Sequence, residues 1–428
     1  MLMTELAHTP DDLPRPARSS NLRSSLTFVL LTGERFLQMA VGILVVSTIA
    51  RQHSTESFAA WQIAYSMWVV AMQISGVAGE RVMLPRLCRE QPAQMHKLLD
   101  TMLRAKLVAG LMAAGVLIVW SATAQDRSVL LLALLWSVYL LIAETAGLAA
   151  HWRYAVDDFI LPQIARSCGL ALRVLIVLML IWTDAPIEWF VLSWILEAIV
   201  FMAVLYRGWT IRPRLFTRAV DWPEFRTLFA QGGALAFMAA VAAALPRTDR
   251  LFGAGLIDTT TIAHYSAAMS LLEALFGISA VLTTIVGAKY LFRPEPLSVR
   301  LHAAIAGAAM LVALTMTLLL QLAGPAMVDL VFGPRFARTA DYLAIASWLL
   351  PLVYLQAITQ APLIARASGR YHIIRGCAAL AAGLLVTLFV IQHGSAQWLS
   401  LGAFAGYVSF LLLDLLWLIR ERSTLYAQ

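Results

Sequence analysis

Twelve apolar segments, each long enough to cross a bilayer as an α-helix, occupy most of this 428-residue chain. Hydrophobic residues make up 60% of the chain and charged residues 13%, about half the charged share of a soluble globular protein. The connections between the segments leave no room for a soluble domain. We therefore predict an all-α polytopic membrane protein with transmembrane helices near residues 26–49, 58–79, 107–124, 129–150, 160–182, 187–206, 227–246, 262–288, 301–323, 341–364, 376–392 and 397–419.

The basic residues of the connecting segments predict the orientation. With a cytoplasmic N-terminus, the cytoplasmic segments carry 23 Arg and Lys residues and the outside segments carry 6. Cytoplasmic loops of membrane proteins retain positive charge, so we expect both termini in the cytoplasm. The same rule accounts for the net charge of +7, so the basic balance does not indicate nucleic acid as a partner.

A basic segment in the middle of the chain separates two blocks of six spans. We expect an N-terminal six-helix lobe at 25–206, a cytoplasmic linker at 207–226 and a C-terminal six-helix lobe at 227–420. Residues 1–24 are polar and lack the basic start and apolar core of a signal peptide, so we expect a disordered cytoplasmic tail. Residues 421–428 form a second cytoplasmic tail.

A short match between the two blocks suggests an internal repeat. It lies just after the first span of each block, where Trp61 aligns with Tyr265, Ala64 with Ala268 and Ser66 with Ser270. Chance is a competing explanation, because membrane sequences resemble one another in composition. Two six-span repeats of the same sense are typical of a transporter whose substrate site lies between its lobes.

Motifs of enzymatic chemistry do not occur in the sequence. None of the three lysines lies in a phosphate-binding GxxxxGK[ST] loop, and neither HExxH nor GxSxG is present. The carboxylate pair Asp157-Asp158 falls in a tight cytoplasmic turn. The three cysteines are far apart and receive no role. The sequence therefore implies neither an enzyme nor a cofactor.

Ionisable residues inside the spans are the first candidates for function, because they are costly in hydrocarbon unless paired or hydrated. Glu34 and Arg35 lie in the first span and point about 100° apart on a helix, so they do not share one local partner well. By depth, Arg166 matches Glu144 and Arg173 matches Glu197, which favours structural pairing within one lobe while leaving a cavity position open. Asp414 lies near a helix end, where we expect it to cap the helix or reach the interface.

An apolar stripe precedes the third span. Met95, Leu98, Leu99, Met102 and Leu103 share one helical face beside charged residues. This pattern favours an interfacial helix, and the alternative is an ordinary start of the third span.

Two stretches of the chain carry a family resemblance. The first is Arg247-x-Asp249-Arg250 before 262–268, and the second is 332–336 leading to Tyr342-Leu343, Pro351 and 363–370. With these stretches and its two blocks of six spans, the chain resembles the oligosaccharide and polysaccharide flippases of the multidrug/oligosaccharidyl-lipid/polysaccharide exporter superfamily, from about Ser24 to Arg420. At His264 this chain departs from the glycine that the family often has.

The resemblance implies an inner-membrane flippase for an undecaprenyl-pyrophosphate-linked oligosaccharide, used to build O-antigen, capsule or exopolysaccharide. It implies the lipid bilayer as surroundings and a polysaccharide polymerase and a chain-length regulator as partners. It also implies that the first, second, seventh and eighth spans line the cavity. Carried over by position, the substrate-binding candidates are Arg35, Arg247, Arg250 and Arg51, and the coupling or charge-pairing candidates are Glu34, Asp249 and Glu273.

Two other functions stay open at this point. A cation-coupled multidrug exporter of the same superfamily would need an acidic, aromatic cavity, which the arginines disfavour. A membrane glycan polymerase or ligase would need catalytic residues in a large outside loop, and the largest one here, near 324–340, is modest.

Overall fold

The structure is a computed structural model that describes residues 21–88, 92–123, 126–156, 158–207, 221–286, 298–366, 368–394 and 396–421. Within these ranges the regular elements are all helical and no strand occurs. Two of the predicted site residues, Glu34 and Arg35, lie on the first helix, but their side chains lie outside the described residues.

The helices fall into two groups along the chain, which we call the N-lobe and the C-lobe. The N-lobe comprises α1 (Asn21–Gln52), α2 (Thr55–Ser75), α3 (Glu80–Leu87), α4 (Pro92–Thr123), α5 (Arg127–Ala155), α6 (Ile160–Trp182) and α7 (Trp189–Tyr206). The C-lobe comprises α8 (Trp222–Ala244), α9 (Thr248–Gly253), α10 (Thr259–Val286), α11 (Val299–Phe332), α12 (Thr339–Ala346), α13 (Leu349–Arg366), α14 (Gly369–His393) and α15 (Leu401–Arg420).

Ten helical segments of the described chain are long and apolar enough to cross a membrane, so the protein is a multi-pass membrane protein. They coincide with ten of the twelve predicted spans. The other two predicted spans fall on α1 and α2, and the apolar part of α1 in the described residues is Phe36–Gln52. A count of twelve spans and the orientation of the termini stay predictions. We call the end of the bundle with the α1–α2 connection the outer end, and the opposite end the inner end.

Side-chain caps and one glycine define the helix ends nearest the lobe interface. Ser54 accepts a hydrogen bond from the backbone N–H of Ser57 at 3.2 Å and begins α2. Asp221 accepts one from Glu224 at 3.2 Å and begins α8. Such caps satisfy backbone donors that a helix start leaves unpaired. At the end of α11, Gly333 has φ of 82°, a conformation that favours glycine.

The N-lobe core is aromatic in its outer half and aliphatic in its inner half. Trp68 stacks on Trp136 with ring centroids 4.4 Å apart, and Trp136 meets Trp194 edge-on at 5.2 Å. The inner half buries the apolar stripe that begins at Met95. The prediction of an interfacial helix there is wrong, because α4 is continuous from Pro92 to Thr123 and the stripe packs inside the lobe.

Helices from both lobes interleave at the interface between them. On the N-lobe side, α2 packs against α8 and α10, and α1 packs against α10 and α11. The amide of Gln62 on α2 donates a hydrogen bond to the hydroxyl of Ser270 on α10 at 3.1 Å. Four of these five helices, α1, α2, α8 and α10, are the spans that the family resemblance assigns to a cavity, and α9 lies beside them.

Candidate functional site

The site forms where α8 stops being a regular α-helix. Its last residue, Ala244, is followed by a 3-10 turn at Leu245–Arg247 and then by α9. Pro246 fits this turn, because a proline in a first helical turn removes no hydrogen bond. The change of helix type aims Arg247 and Arg250 at α10.

Both arginines bind a single carboxylate. Glu273 on α10 forms ion pairs with Arg247 through one oxygen and with Arg250 through the other, the latter at 2.5 Å. Each guanidinium also donates to a backbone carbonyl four residues earlier, Arg247 to Ala243 at 2.8 Å and Arg250 to Pro246 at 2.9 Å. These contacts hold the two cations side by side with one shared anion.

The position of this cluster corrects the predicted boundary of the seventh span. We expected the helix to end at residue 246 and counted Arg247 and Arg250 as outside residues. The helical segment instead runs from Trp222 to Gly253, and Arg247 and Arg250 are only 7% and 1% exposed. Asp249 between them is 3% exposed. The three charges therefore lie inside the bundle rather than in a loop.

This correction sharpens the charge asymmetry of the loops. Two residues counted as cytoplasmic, Lys106 and Arg375, are also buried in ion pairs. Without these four buried residues, the predicted cytoplasmic side carries 21 basic residues and the outside carries 4. The predicted orientation thus keeps its support.

Arg51 lies away from this cluster, at the outer end. Its guanidinium donates to the backbone carbonyl of Val331 at 2.9 Å and to that of Asp329 at 3.3 Å, both in the last turn of α11. The hydroxyl of Ser47 also donates to Val331. Arg51 thus joins α1 to α11, and its role in substrate binding stays a prediction.

A second buried ion pair lies within the N-lobe, on the other side of the lobe interface from Glu273. Arg173 on α6 pairs with Glu197 on α7, as its depth predicted, and its guanidinium carbon lies 4.3 Å from the ring centre of Trp194. Tyr65 on α2 packs against Trp68 and Trp136 of the aromatic core, and the electrostatic influence of charges from both lobes, Arg173 and Arg247, reaches it.

The inner half of the N-lobe holds a further polar group, built on the predicted carboxylate Glu144, with a partner that the sequence did not reveal. Glu144 on α5 binds the ammonium of Lys106 at 2.8 Å and the hydroxyl of Ser75 at 2.5 Å. We had counted Lys106 as a loop residue. Arg166 lies with its guanidinium carbon 5.3 Å from the ring centre of Phe201.

The prediction for Asp414 is wrong. It is fully buried and pairs with Arg375 of α14, whose Nη2 donates to it at 2.8 Å. Thr359 donates to the same oxygen at 3.4 Å. Asp414 therefore links three helices within the C-lobe instead of capping a helix end.

Solved structures of similar fold were found, while no protein-family model and no curated sequence matches the chain. "Lipid II flippase MurJ, inward closed conformation" superimposes with a TM-score of 0.70 at 11% identity over 94% of each chain. An inward-facing multidrug resistance MATE family transporter of the MOP superfamily gives 0.70 at 14% identity, covering 91% of this chain and 95% of that chain. The eukaryotic MATE transporter AtDTX14 gives 0.66 at 15% identity, covering 93% and 96%.

These similarities show the fold, which the chain shares with these flippase and transporter structures. The neighbours are transporters and a flippase rather than enzymes. The departure at His264 has a local explanation: the imidazole lies 3.3 Å from the hydroxyl of Thr339 and meets the ring of Phe336 edge-on at 5.2 Å. A glycine would leave that space unfilled, so the larger residue matches its surroundings.

Proposed function

We propose that this protein is an inner-membrane flippase that moves an undecaprenyl-pyrophosphate-linked oligosaccharide by alternating access between its two lobes. The observation that carries the proposal is the buried pair of arginines, Arg247 and Arg250, which share the one carboxylate of Glu273. Two guanidinium groups with one common partner suit an incoming anion, because each planar fork can donate two parallel hydrogen bonds to phosphate oxygens.

Glu273 holds the arginines in place while the site is empty. A pyrophosphate would compete for the same N–H donors and relieve Glu273 of one or both partners. Tyr65, at the edge of the aromatic N-lobe core, is only partly buried and offers an aromatic face to a sugar ring. The lipid tail stays in the bilayer, since it needs no polar partner.

The resemblance adds an inner group of charges to this path. Glu34 and Arg35 lie on α1 nearer the inner end, and we propose that Arg35 meets the pyrophosphate first while Glu34 balances its charge. An inside-negative membrane potential would favour outward movement of the anionic substrate by about 2.3 kcal/mol per charge per 100 mV.

A multidrug exporter is the second candidate, because MATE transporters are among the structural neighbours. Such a protein would bind organic cations. The buried cluster argues against this, since its two arginines would repel a cation unless both carboxylates stayed ionised.

Transport in proteoliposomes tests the proposal. Purified protein is reconstituted with a fluorescent undecaprenyl-pyrophosphate-linked oligosaccharide, and a membrane-impermeant quencher reports the fraction that changes leaflet. We expect Arg247→Ala to slow flipping by about 30-fold or more, since it removes a desolvated charge-assisted contact worth roughly 2–5 kcal/mol. The exposed Arg127 at the outer end provides a matched control, and Arg127→Ala should flip normally.

The same vesicles separate the candidates. Normal flipping by both Arg247→Ala and Arg35→Ala would refute the assignment of the site. Uptake of a cationic dye without flipping of the lipid-linked substrate would support the exporter instead.

A further inference from the structure

The carboxylate of Asp249 is the least satisfied charged group in the buried cluster. Both of its oxygens are inaccessible to solvent and no donor reaches either one in hydrogen-bond geometry. The Nε of Arg250 lies 3.9 Å from one of these oxygens, an ion pair beyond hydrogen-bond distance. A buried carboxylate without donors is costly when ionised and much less so when protonated.

The arginines beside it have hydrogen-bond donors that lack acceptors. The Nε of Arg247 and the Nε and Nη1 of Arg250 are buried N–H donors without a partner. With Asp249 ionised, two guanidinium charges face two carboxylates, Asp249 and Glu273, and the cluster is neutral. With Asp249 protonated, the cluster carries one net positive charge and keeps its unused donors.

The other groups around Asp249 do not compete for this role. Tyr265 on α10, Tyr65 on α2 and Tyr407 on α15 lie within electrostatic reach of the cluster, and α14 contributes Thr387, whose hydroxyl is 3.2 Å from that of Thr248. Tyrosine and threonine carry no charge near neutral pH. Glu273 already forms ion pairs with two cations, one through each oxygen.

We propose that Asp249 is a proton-binding residue that switches the arginine pair between a neutral cluster and a cationic site for a phosphate-bearing anion. The inference rests on the proposed role of the arginine pair as a pyrophosphate site. One proton passes from the solution to an oxygen of Asp249, and the anion then offsets the positive charge of the cluster and accepts hydrogen bonds from its free N–H donors. Proton uptake therefore accompanies anion binding, and proton release accompanies anion release.

Calorimetric titration with inorganic pyrophosphate tests this linkage on the full-length protein in nanodiscs, from mildly acidic to mildly alkaline pH. For the wild type we expect the Kd to rise by up to about tenfold per pH unit where Asp249 titrates, which is the slope for one linked proton. Asp249→Asn should bind tightly with that slope removed. Asp258→Asn makes the same chemical change at an exposed carboxylate directly before α10, and this variant should bind pyrophosphate as the wild type does.

The titration of pyrophosphate itself is common to all variants, so the difference between their curves reports Asp249 alone. An unchanged pH slope in Asp249→Asn overturns the proposal. Should that variant unfold, Glu273→Gln decides: it should bind more tightly and keep the slope, and a flat profile there overturns the proposal. If pyrophosphate binding depends on Asp249 and pH but the lipid-linked substrate is not flipped, the flippase function is refuted and the proton linkage stands. If the lipid-linked substrate is flipped but pyrophosphate does not bind, the proton linkage is refuted and the flippase function stands.

Discussion

The two ends of the bundle join the lobes by different chemistry. At the outer end, each lobe contributes an arginine that binds the last turn of a helix in the other lobe. Arg51 of the N-lobe donates to the carbonyl of Val331 in α11, and Arg335 of the C-lobe donates to the carbonyls of Ala50 and, at 2.6 Å, His53 after α1. The contact is reciprocal and uses backbone acceptors only.

At the inner end the partners are side chains. Arg86 of α3 pairs with Glu224 of α8, and Lys97 of α4 pairs with Asp221 at 2.8 Å. Lys97 is largely exposed, so water and salt screen its pair. Beside these pairs the lobes also touch through backbone, where α8 meets the turn that follows α2.

The two ends should therefore differ in their sensitivity to pH, salt and mutation. Carbonyls at a helix C-terminus carry the negative end of the helix dipole and do not titrate, and arginine stays protonated. The outer contact therefore depends on the alignment of two helix ends and is indifferent to pH. The inner contact combines a close steric fit with screened ion pairs, so it should yield to mutation at the fit and to salt at the pairs.

The largest effect is expected from the steric fit at Gly232. A Cβ atom built there overlaps the carbonyl oxygen of Val77 in the turn after α2. Gly232→Ala should force α8 away from that turn at a cost of about 3 kcal/mol, a shift on the order of 100-fold toward an open inner end. Spin labels at Cys88 and Trp222, both exposed and on opposite lobes, would report the larger separation in a chain whose other cysteines are serine.

The neighbouring glycine provides the control. A Cβ at Gly233 would meet nothing within 4 Å, so Gly233→Ala changes the helix propensity equally without the overlap. An inner end that opens equally in both variants would contradict the steric argument. If neither variant opens the inner end, the turn after α2 moves aside for the added methyl group while α8 stays in place.

An intermediate effect is expected from the outer arginines. Arg51→Gln together with Arg335→Gln should stabilise an open outer end by about 1–2 kcal/mol, since hydrogen bonds from charged donors contribute roughly this much and both side chains are partly exposed. Labels at Trp182 and Arg338 would measure the opening. The wild-type distance should stay constant across mildly acidic and mildly alkaline pH, and a pH-dependent distance would contradict a contact made of arginine and carbonyl groups alone.

Much of this architecture could be predicted from sequence because hydrocarbon thickness fixes the length of a span. The local exceptions could not. Pro246 suggested a helix end, but the chain passes through a 3-10 turn and continues, so Arg247 and Arg250 lie inside the bundle. Asp414 looked terminal because its partner Arg375 lies 39 residues away on a neighbouring helix, and no local pattern encodes that distance.

The smallest effect is expected from the inner ion pair of Arg86 and Glu224. Their side chains are 19% and 31% exposed, and pairs of this kind contribute about 0.2–1 kcal/mol. A double-mutant cycle with Arg86→Gln and Glu224→Gln isolates the pair from the favourable position of Glu224 in the first turn of α8. The population of open inner ends, measured with the same labels, should change by less than about fivefold, and about 1 M salt should reduce the coupling further. A coupling above about 2 kcal/mol that survives high salt would show that the inner ion pair is as strong as the outer contacts of Arg51 and Arg335. The steric fit at Gly232 would then be the remaining difference between the two ends.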